Sequence, residues 1–246
     1  MKYLITSSLL DSFDYMKTCP YPYQEKAMED FIAMIQRKPR PTSEACQRGI
    51  DFENLICKNC NDMSADDFNS HTEWYWNSKG CKELESAVWV CEKVAEECKG
   101  GKQQVAVMKD ILVGENEYHL FGYADIIQPE KIIDIKTTAR YKGEDYYRNR
   151  SQHLIYAVCT GIRQFDYLVA EFKGKFPVDF HSIKIEQDLK ECEKFLKQRI
   201  SVLVSFLHNA GLWNDYVNIF TKEHKDYKYF AIANYSQNAE FMLYFK

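Results

Sequence analysis

Asp134 and Lys136 have side chains and a spacing that could do chemistry together. They are two positions apart in the apolar run Ile-Ile-Asp-Ile-Lys, and the alternation of a β-strand would place both on one face, roughly 6–7 Å apart along the strand. Ile133 and Ile135 would then occupy the other face. A carboxylate and an ammonium group on such an apolar strand are costly to bury unless they are paired or bind a ligand. The pattern therefore predicts a functional pair.

A β-hairpin would bring a second carboxylate to this pair. Two strand-like runs, residues 118–128 and 131–138, are separated by a Pro-Glu dipeptide. Proline favours a tight turn because it fixes one backbone dihedral and lacks an N–H donor. Asp125, late in the first run, would then fold back toward Asp134. Two carboxylates and one lysine are thus expected close together.

The residues around this hairpin resemble the core signature of the PD-(D/E)XK nuclease superfamily. The matching segments are residues 122–125 (GYAD) and 134–137 (DIKT), which eight residues separate. Upstream, residues 48–55 (RGIDFENL) resemble the helix motif of the family that carries the first acidic metal ligand, here Glu53. The resemblance implies a nuclease fold and a metal-dependent phosphodiesterase site.

Two more segments bear on the branch of the family. Residues 152–156 (QHLIY) resemble the Q-x-x-x-Y helix of the RecB-like and lambda-exonuclease-like branches, and residues 6–9 with Cys19 resemble the start of RecB-like nuclease domains. RecB-like nucleases often carry histidine where this chain has Glu53, whereas the lambda-exonuclease-like branch carries glutamate there. The sub-branch and the polarity of digestion therefore stay open.

The resemblance also implies roles for particular residues. Hard oxygen ligands favour Mg²⁺, with Mn²⁺ as a substitute, and clustered carboxylates with a divalent ion suit phosphodiester hydrolysis. Lys136 would stabilise the pentavalent phosphate and orient or help deprotonate the water. Gln152 and Tyr156 would contact the scissile phosphate or the DNA end. The implied catalytic residues are Glu53, Asp125, Asp134, Lys136, Gln152 and Tyr156, and the implied metal ligands are Glu53, Asp125, Asp134 and the Ile135 carbonyl.

Three functions are compatible with these motifs. A metal-dependent DNA exonuclease of phage-type recombination or DNA repair is favoured, because the Q-x-x-x-Y helix belongs mainly to end-processing branches. A catalytically silent nuclease-like domain that binds nucleic acid or a partner protein is the alternative, but such domains usually lose at least one of the four central residues. A restriction-type endonuclease is less favoured. The chain would act on DNA, alone, as a homo-oligomer or with a recombination or repair partner.

A basic segment after the hairpin is the candidate DNA contact. The formal net charge is −4 and the pI is near 5.9, so bulk charge does not attract a polyanion. Contact with DNA must be local. Residues 140–150 are predicted to form a loop in which cations could hold phosphates and tyrosines could stack on bases, although a solvated loop is equally compatible. The predicted DNA-binding residues are Arg140, Lys142, Arg148 and Arg150.

The cysteines indicate a reducing compartment. The chain has nine cysteines and its first residues lack the apolar run of a signal peptide, so reduced thiols in the cytoplasm are expected. No segment has the roughly 20 apolar residues of a membrane span. Cys57 and Cys60 form a lone C-x-x-C without the second pair that a zinc site needs. An iron–sulfur cluster is not expected, because only Cys159 and Cys192 follow the Q-x-x-x-Y motif.

The hydrophobic pattern predicts a single α/β (α+β) domain over residues 1–246. It has a helical part (1–100), a core (101–186) and a C-terminal helix and tail (187–246), with a central mixed β-sheet flanked by helices. The family resemblance implies that 101–186 is the catalytic core and that it is restriction-endonuclease-like. Predicted helices cover about 8–18, 24–36, 43–60, 83–99, 151–161 and 187–209. Predicted strands cover 104–113, 118–128, 131–138, 165–172 and 178–185, with short strands near 227–233 and 241–245. Residues 61–81 are predicted to be a polar connection.

Overall fold

A six-stranded mixed β-sheet organises the protein. The computed structural model describes residues 2–222. The strands are β1 (Tyr3–Ile5), β2 (Lys102–Val113), β3 (Asn116–Ile127), β4 (Lys131–Thr138), β5 (Gln164–Lys173) and β6 (Phe176–Glu186). The helices are α1 (Ser7–Thr18), α2 (Gln24–Ile35), α3 (Glu44–Cys57), α4 (Ala65–Ser78), α5 (Leu84–Cys98), α6 (Glu144–Arg148), α7 (Gln152–Thr160), α8 (Leu189–Asn209) and α9 (Trp213–Asp215), followed by a π-helical turn, Tyr216–Phe220. The predicted mixed sheet with flanking helices is confirmed.

Strand β3 is the branching point of the sheet. It pairs antiparallel with β2 along its length and parallel with the short β1 near its beginning. The hairpin with β4 is confirmed, but within the described residues the pairing of β3 with β4 is limited to Ile126 with Ile133 and Ile127 with Ile132. On its other edge β4 pairs parallel with β5 over its whole length, from Lys131 to Thr138. The two strands of the hairpin therefore separate at Asp125 and Asp134, which opens a gap between them.

Hydrophobic residues fill both sides of the sheet. One core joins α1, α2, α7 and α8 to residues such as Ile132 and Tyr167. The other joins α3, α4 and α5 to Ile133 and Ile135. Neighbouring residues of β4 thus face opposite cores, as the alternation of a strand requires. Asp134 is on the face of Ile132, whereas Glu53 comes from α3 on the opposite side.

Local sequence sets where the main helices begin and end. The hydroxyl of Thr6 accepts a hydrogen bond from the Leu9 N–H at the start of α1. Ser43 caps α3 by accepting a hydrogen bond from the Cys46 N–H. Helix α7 ends at Gly161, whose φ of +80° is left-handed and favours glycine.

The prediction of a polar connection over residues 61–81 was wrong. Helix α4 occupies most of it and begins at Ser64, whose hydroxyl accepts a hydrogen bond from the Asp67 N–H. Phe68, Thr72 and Trp76 are four residues apart and point into the second core. Polar residues on the exposed face hid this stripe, because they lower the mean hydropathy without disturbing the helical period.

Several further findings concern parts of the chain with weaker sequence signals. Strand β1 was not predicted, and α6 lies inside the predicted loop at 140–150. The short strands predicted near 227–233 and 241–245 lie outside the described residues.

Among helices of residues 2–222, none is long and apolar enough to span a membrane. All nine cysteines lie within that range and are free thiols.

Candidate active site

Asp125 joins β3 to β4 where the strands separate. Its Oδ2 accepts a hydrogen bond of 2.9 Å from the backbone N–H of Ile135. A side chain thus replaces the carbonyl that would have continued the β-ladder, which keeps the Ile135 N–H satisfied. The contact ties Asp125 to the strand segment that carries Asp134 and Lys136. The expected convergence of the two aspartates is therefore produced by a specific backbone bond.

Asp134 and Lys136 form an ion pair at the bottom of the gap. Lys136 Nζ lies 2.5 Å from Asp134 Oδ2; the carboxylate is 1% exposed, but the lysine side chain is 38% exposed. Gln152 on α7 donates to the other oxygen, Asp134 Oδ1. The contact at Oδ2 lacks hydrogen-bond geometry, so this buried oxygen is paired by charge alone. Lys136 consequently connects a buried carboxylate with solvent.

Glu53 reaches the same site from α3. Its Oε1 accepts a hydrogen bond from Nε2 of Gln104 on β2, and the same nitrogen lies 3.4 Å from Asp125 Oδ1. One side-chain amide thus bridges the carboxylates of a helix and a strand. Gln104 was not identified from the sequence, because a glutamine on a strand matches no motif and its two partners are 51 and 21 residues away.

The site has an excess of negative charge. Burial and the charge of Asp134 raise the pKa of Asp125 well above its ordinary value. Burial also raises the pKa of Glu53, with a contribution from Asp134 and against the hydrogen bond from Gln104. Burial alone would lower the pKa of Lys136, but the carboxylates of Asp134 and Asp125 outweigh it and raise the pKa. The cluster would be stabilised by a further positive charge.

The donor set suits a hard divalent cation. Within residues 2–222, no group of three or more His, Cys, Asp or Glu side chains is close enough to form a ready metal site. The carboxylates instead face the amides of Gln104 and Gln152 and the ammonium of Lys136. The three carboxylates offer only oxygen ligands, and Asp134 Oδ2 has no hydrogen bond. The residues therefore fit such an ion by chemistry, with side-chain adjustment.

Helix α7 brings Gln152 and Tyr156 to the site one turn apart. The Tyr156 hydroxyl donates a 2.5 Å hydrogen bond to the Tyr123 carbonyl on β3, and Gln152 Nε2 lies 3.3 Å from that hydroxyl. Tyr156 is buried, and burial with the nearby Asp134 raises its pKa. Its observed contact fixes α7 against β3, which holds Gln152 at Asp134. Contact with a phosphate stays a prediction.

Gly122 makes the close approach of Tyr156 possible. An added Cβ would lie 2.5 Å from Cε1 and 3.0 Å from the hydroxyl of Tyr156, so Gly122→Ala must displace the buried ring. We expect a loss of about 1–3 kcal/mol in the free energy of unfolding, measured by urea denaturation. In a Tyr156→Ala background the same change should cost much less. An equal cost in both backgrounds would show that the ring is not responsible.

Two of the four predicted DNA-binding cations line a cavity beside Lys136. Lys142, Arg150 and Tyr146 line this space of about 460 Å³. The Arg150 guanidinium lies over the Tyr146 ring, 4.3 Å from its centroid, and 3.6 Å from Asp11. The opposite wall comes from α1, including the exposed Tyr15.

The other two predicted cations lie elsewhere. Arg148 pairs with Glu144 at 3.0 Å and donates to the Lys184 carbonyl. Arg140 is exposed, and its backbone bonds to the Thr138 hydroxyl. Neither is among the residues that line the cavity. The structure thus groups only Lys142 and Arg150 with Lys136.

The two cysteines of the C-x-x-C segment lie at the end of α3. Cys57 and Cys60 are both buried. Burial raises the pKa of both thiols, and Glu53 adds to the effect at Cys57. Raised pKa values keep thiols protonated, which makes them poor nucleophiles and poor metal ligands. Packing is the role that this arrangement supports.

Comparison with solved structures identifies the fold. A protein from Eubacterium rectale assigned as an exonuclease superposes with a TM-score of 0.51 at 17% sequence identity, covering 85% of this chain and 82% of that chain. The alkaline exonuclease LHK-Exo from Laribacter hongkongensis gives a TM-score of 0.42 at 14% identity, covering 90% and 93%. No protein-family model matches the chain, and no curated protein matches it in sequence. The chain therefore has a nuclease fold, in agreement with the prediction from the motifs.

Proposed function

We propose that the protein is a metal-dependent nuclease that hydrolyses DNA from its ends. One observation carries the proposal: Glu53, Asp125 and Asp134 come from three elements to one site, where Gln104 bridges Glu53 and Asp125 and where Asp134 pairs with Lys136. Holding one buried and two half-buried carboxylates together is unfavourable unless a cation compensates them. An arrangement that costs stability in this way is typical of a functional site.

Each residue has a task in this proposal. Glu53, Asp125, Asp134 and the Ile135 carbonyl would hold Mg²⁺, which supplies neutralisation of the phosphate charge and a more acidic water molecule. Lys136 would donate to the phosphate oxygen that gains charge during attack. Gln152 keeps the carboxylate of Asp134 in one orientation, and Tyr156 keeps Gln152 in place through β3.

The cavity beside Lys136 supports action at DNA ends. A volume of about 460 Å³ is in the range of small-molecule pockets, so it suits a few atoms of one strand better than a continuous duplex. The exposed rings of Tyr15 on α1 and Tyr146 on α6 could stack on unpaired bases. Recombination or repair is the process in which an end-processing nuclease of this type would act.

Linear and closed circular DNA distinguish the functions. Purified protein should release nucleotides from linear DNA only when Mg²⁺ is present, and it should leave covalently closed circles intact. Cutting of closed circles would indicate an endonuclease. Binding without cleavage in Mg²⁺ or Mn²⁺ would indicate a silent nuclease-like domain and would contradict the proposal.

The cations of the cavity should determine DNA affinity. Replacement of Lys142 and Arg150 by alanine is expected to weaken binding of all sequences alike, because phosphate contacts carry no base information. The slope of log K against log salt should fall by about two units, near one for each lost phosphate contact. Salt titration in Ca²⁺ measures this, since Ca²⁺ should occupy the oxygen site with little cleavage.

A matched control comes from the same chain segment, residues 140–150. Arg148→Ala removes a cation that Glu144 and the Lys184 carbonyl already engage, so it should leave the salt slope unchanged. If Arg148→Ala lowers the slope by as much per lost cation as the double replacement does, binding depends on general charge and not on the cavity. If neither variant lowers the slope, DNA binds elsewhere.

A further inference from the structure

Gln104 has a backbone conformation that is unusual for its residue type. Its φ is +48°, in the left-handed region, although it is not glycine and lies inside β2. For an L-residue this conformation is unfavourable by about 1 kcal/mol or more. Such a conformation persists only where the surrounding structure holds it, and these positions cluster at functional sites. The residue therefore needs an explanation beyond the packing of a strand.

The local strand pairing is also interrupted here. Gln103 pairs with Ile126 and Val105 pairs with Ala124, whereas the register passes over Gln104 and Asp125. Ala124 packs in the first core and Ile126 in the second, so the two-residue alternation of β3 breaks at Asp125. The irregularity is thus shared by two facing residues, both of which belong to the candidate active site.

The side chain of Gln104 uses this irregularity to reach two carboxylates. Its amide nitrogen donates to Glu53 Oε1 and lies 3.4 Å from Asp125 Oδ1. Glu53 has no other hydrogen bond to β2 or β3 among the side chains described, and it extends from a helix across to the sheet. Without a donor between them, two like charges would turn apart.

We propose that Gln104 is a positioning residue that sets the separation of the Glu53 and Asp125 carboxylates for the divalent cation. The inference rests on the proposed function, in which these two groups are ligands. Carboxylate oxygens have enough lone pairs to accept an amide N–H and bind a cation. Groups that orient metal ligands in this way typically account for 10–100-fold in metal affinity.

Asparagine is the informative replacement. Gln104→Asn keeps the amide but is one methylene shorter, so it cannot reach Glu53 from the same backbone. Asparagine also tolerates left-handed φ better than most residues, so the fold should not suffer. We expect Mg²⁺ affinity to fall 10–100-fold while the melting temperature of the metal-free protein stays at or above that of wild type.

The neighbouring glutamine provides the control. Gln103 also joins β2 to α3, but its amide donates to the Cys57 carbonyl and not to a carboxylate. Gln103→Asn should therefore lower the melting temperature and change Mg²⁺ affinity less than about threefold. A purely structural link between β2 and α3 would produce this same result at Gln104.

The experiment is a calorimetric titration of Mg²⁺ into the chelator-treated full chain, with melting temperatures measured in parallel. Weaker Mg²⁺ binding in Gln104→Asn, without loss of metal-free stability, would support the proposal. Binding within about threefold of wild type would overturn it, and so would weaker binding accompanied by a lower metal-free melting temperature, while the proposed nuclease function stands. If wild type itself binds no Mg²⁺, both are overturned.

Discussion

Replacement of Lys136 by alanine is expected to lower the rate of DNA cleavage about 10²–10⁴-fold, the range for loss of a positioned proton-transfer or charge-stabilising group. The side chain lies 2.5 Å from Asp134 and reaches solvent, so it can meet a phosphate that approaches through the cavity. Single-turnover cleavage of linear DNA at saturating Mg²⁺ measures the effect without the contribution of product release.

Metal binding separates the role of Lys136 from that of its partner. Lys136→Ala leaves the three carboxylates in place and removes a competing cation, so Mg²⁺ should bind at least as tightly as in wild type. Asp134→Ala removes an oxygen donor and should weaken Mg²⁺ binding as well as cleavage. Cleavage by Lys136→Ala at the wild-type rate would exclude the lysine from the chemistry.

The second large effect concerns Asp125, where activity and stability should change in opposite directions. Asp125→Asn should reduce Mg²⁺-dependent cleavage at least about 100-fold through loss of a charged ligand. In chelator, the same variant should melt about 2–4 °C above wild type at pH 8, the shift that roughly 1 kcal/mol produces in a domain of this size. The amide oxygen can still accept the Ile135 N–H, so the backbone contact survives.

The pH dependence follows from the direction of the pKa shift. Burial and Asp134 raise the pKa of Asp125 above its ordinary value of 3.8, so the folded state holds this proton more tightly than the unfolded state. Its contribution to stability is present below about pH 4 and is lost as pH rises through the folded-state pKa. The melting-temperature difference between variant and wild type should therefore grow from pH 4 to pH 8. A constant difference would indicate that repulsion at Asp125 is not its source.

Local patterns were sufficient to predict most of the elements. The alternation in Ile-Ile-Asp-Ile-Lys placed Asp134 and Lys136 on one face, and the Q-x-x-x-Y spacing placed Gln152 one turn from Tyr156. Helix α4 is where prediction from local patterns fails, because the residues of its buried stripe are separated by polar residues. The signal was nevertheless present in Ser64 followed by Asp67, which is a helix-capping pattern.

Contacts between distant segments could not be predicted in this way. Nothing near Gln104 in sequence indicates that it faces Glu53, and the separation of β3 from β4 depends on how β5 pairs with β4. Sequence alone does not distinguish the four predicted DNA-binding cations of residues 140–150, because they are neighbours in the chain. The short helix α6 divides them, since it turns Arg148 toward Glu144 and leaves Lys142 and Arg150 at the cavity.

The pairing of strand β1 bears on the order in which the protein can assemble. The Leu4 N–H lies 3.4 Å from the Thr221 hydroxyl, and the Tyr216 hydroxyl donates to the Leu4 carbonyl at 2.7 Å. These contacts join residues more than 200 positions apart, so β1 cannot be fully secured until the segment after α8 has been synthesised. Helix α1 follows β1 directly and forms one wall of the cavity beside Lys136. A nascent chain that stops short of Tyr216 would thus lack both of these contacts to Leu4, which can form only late in translation.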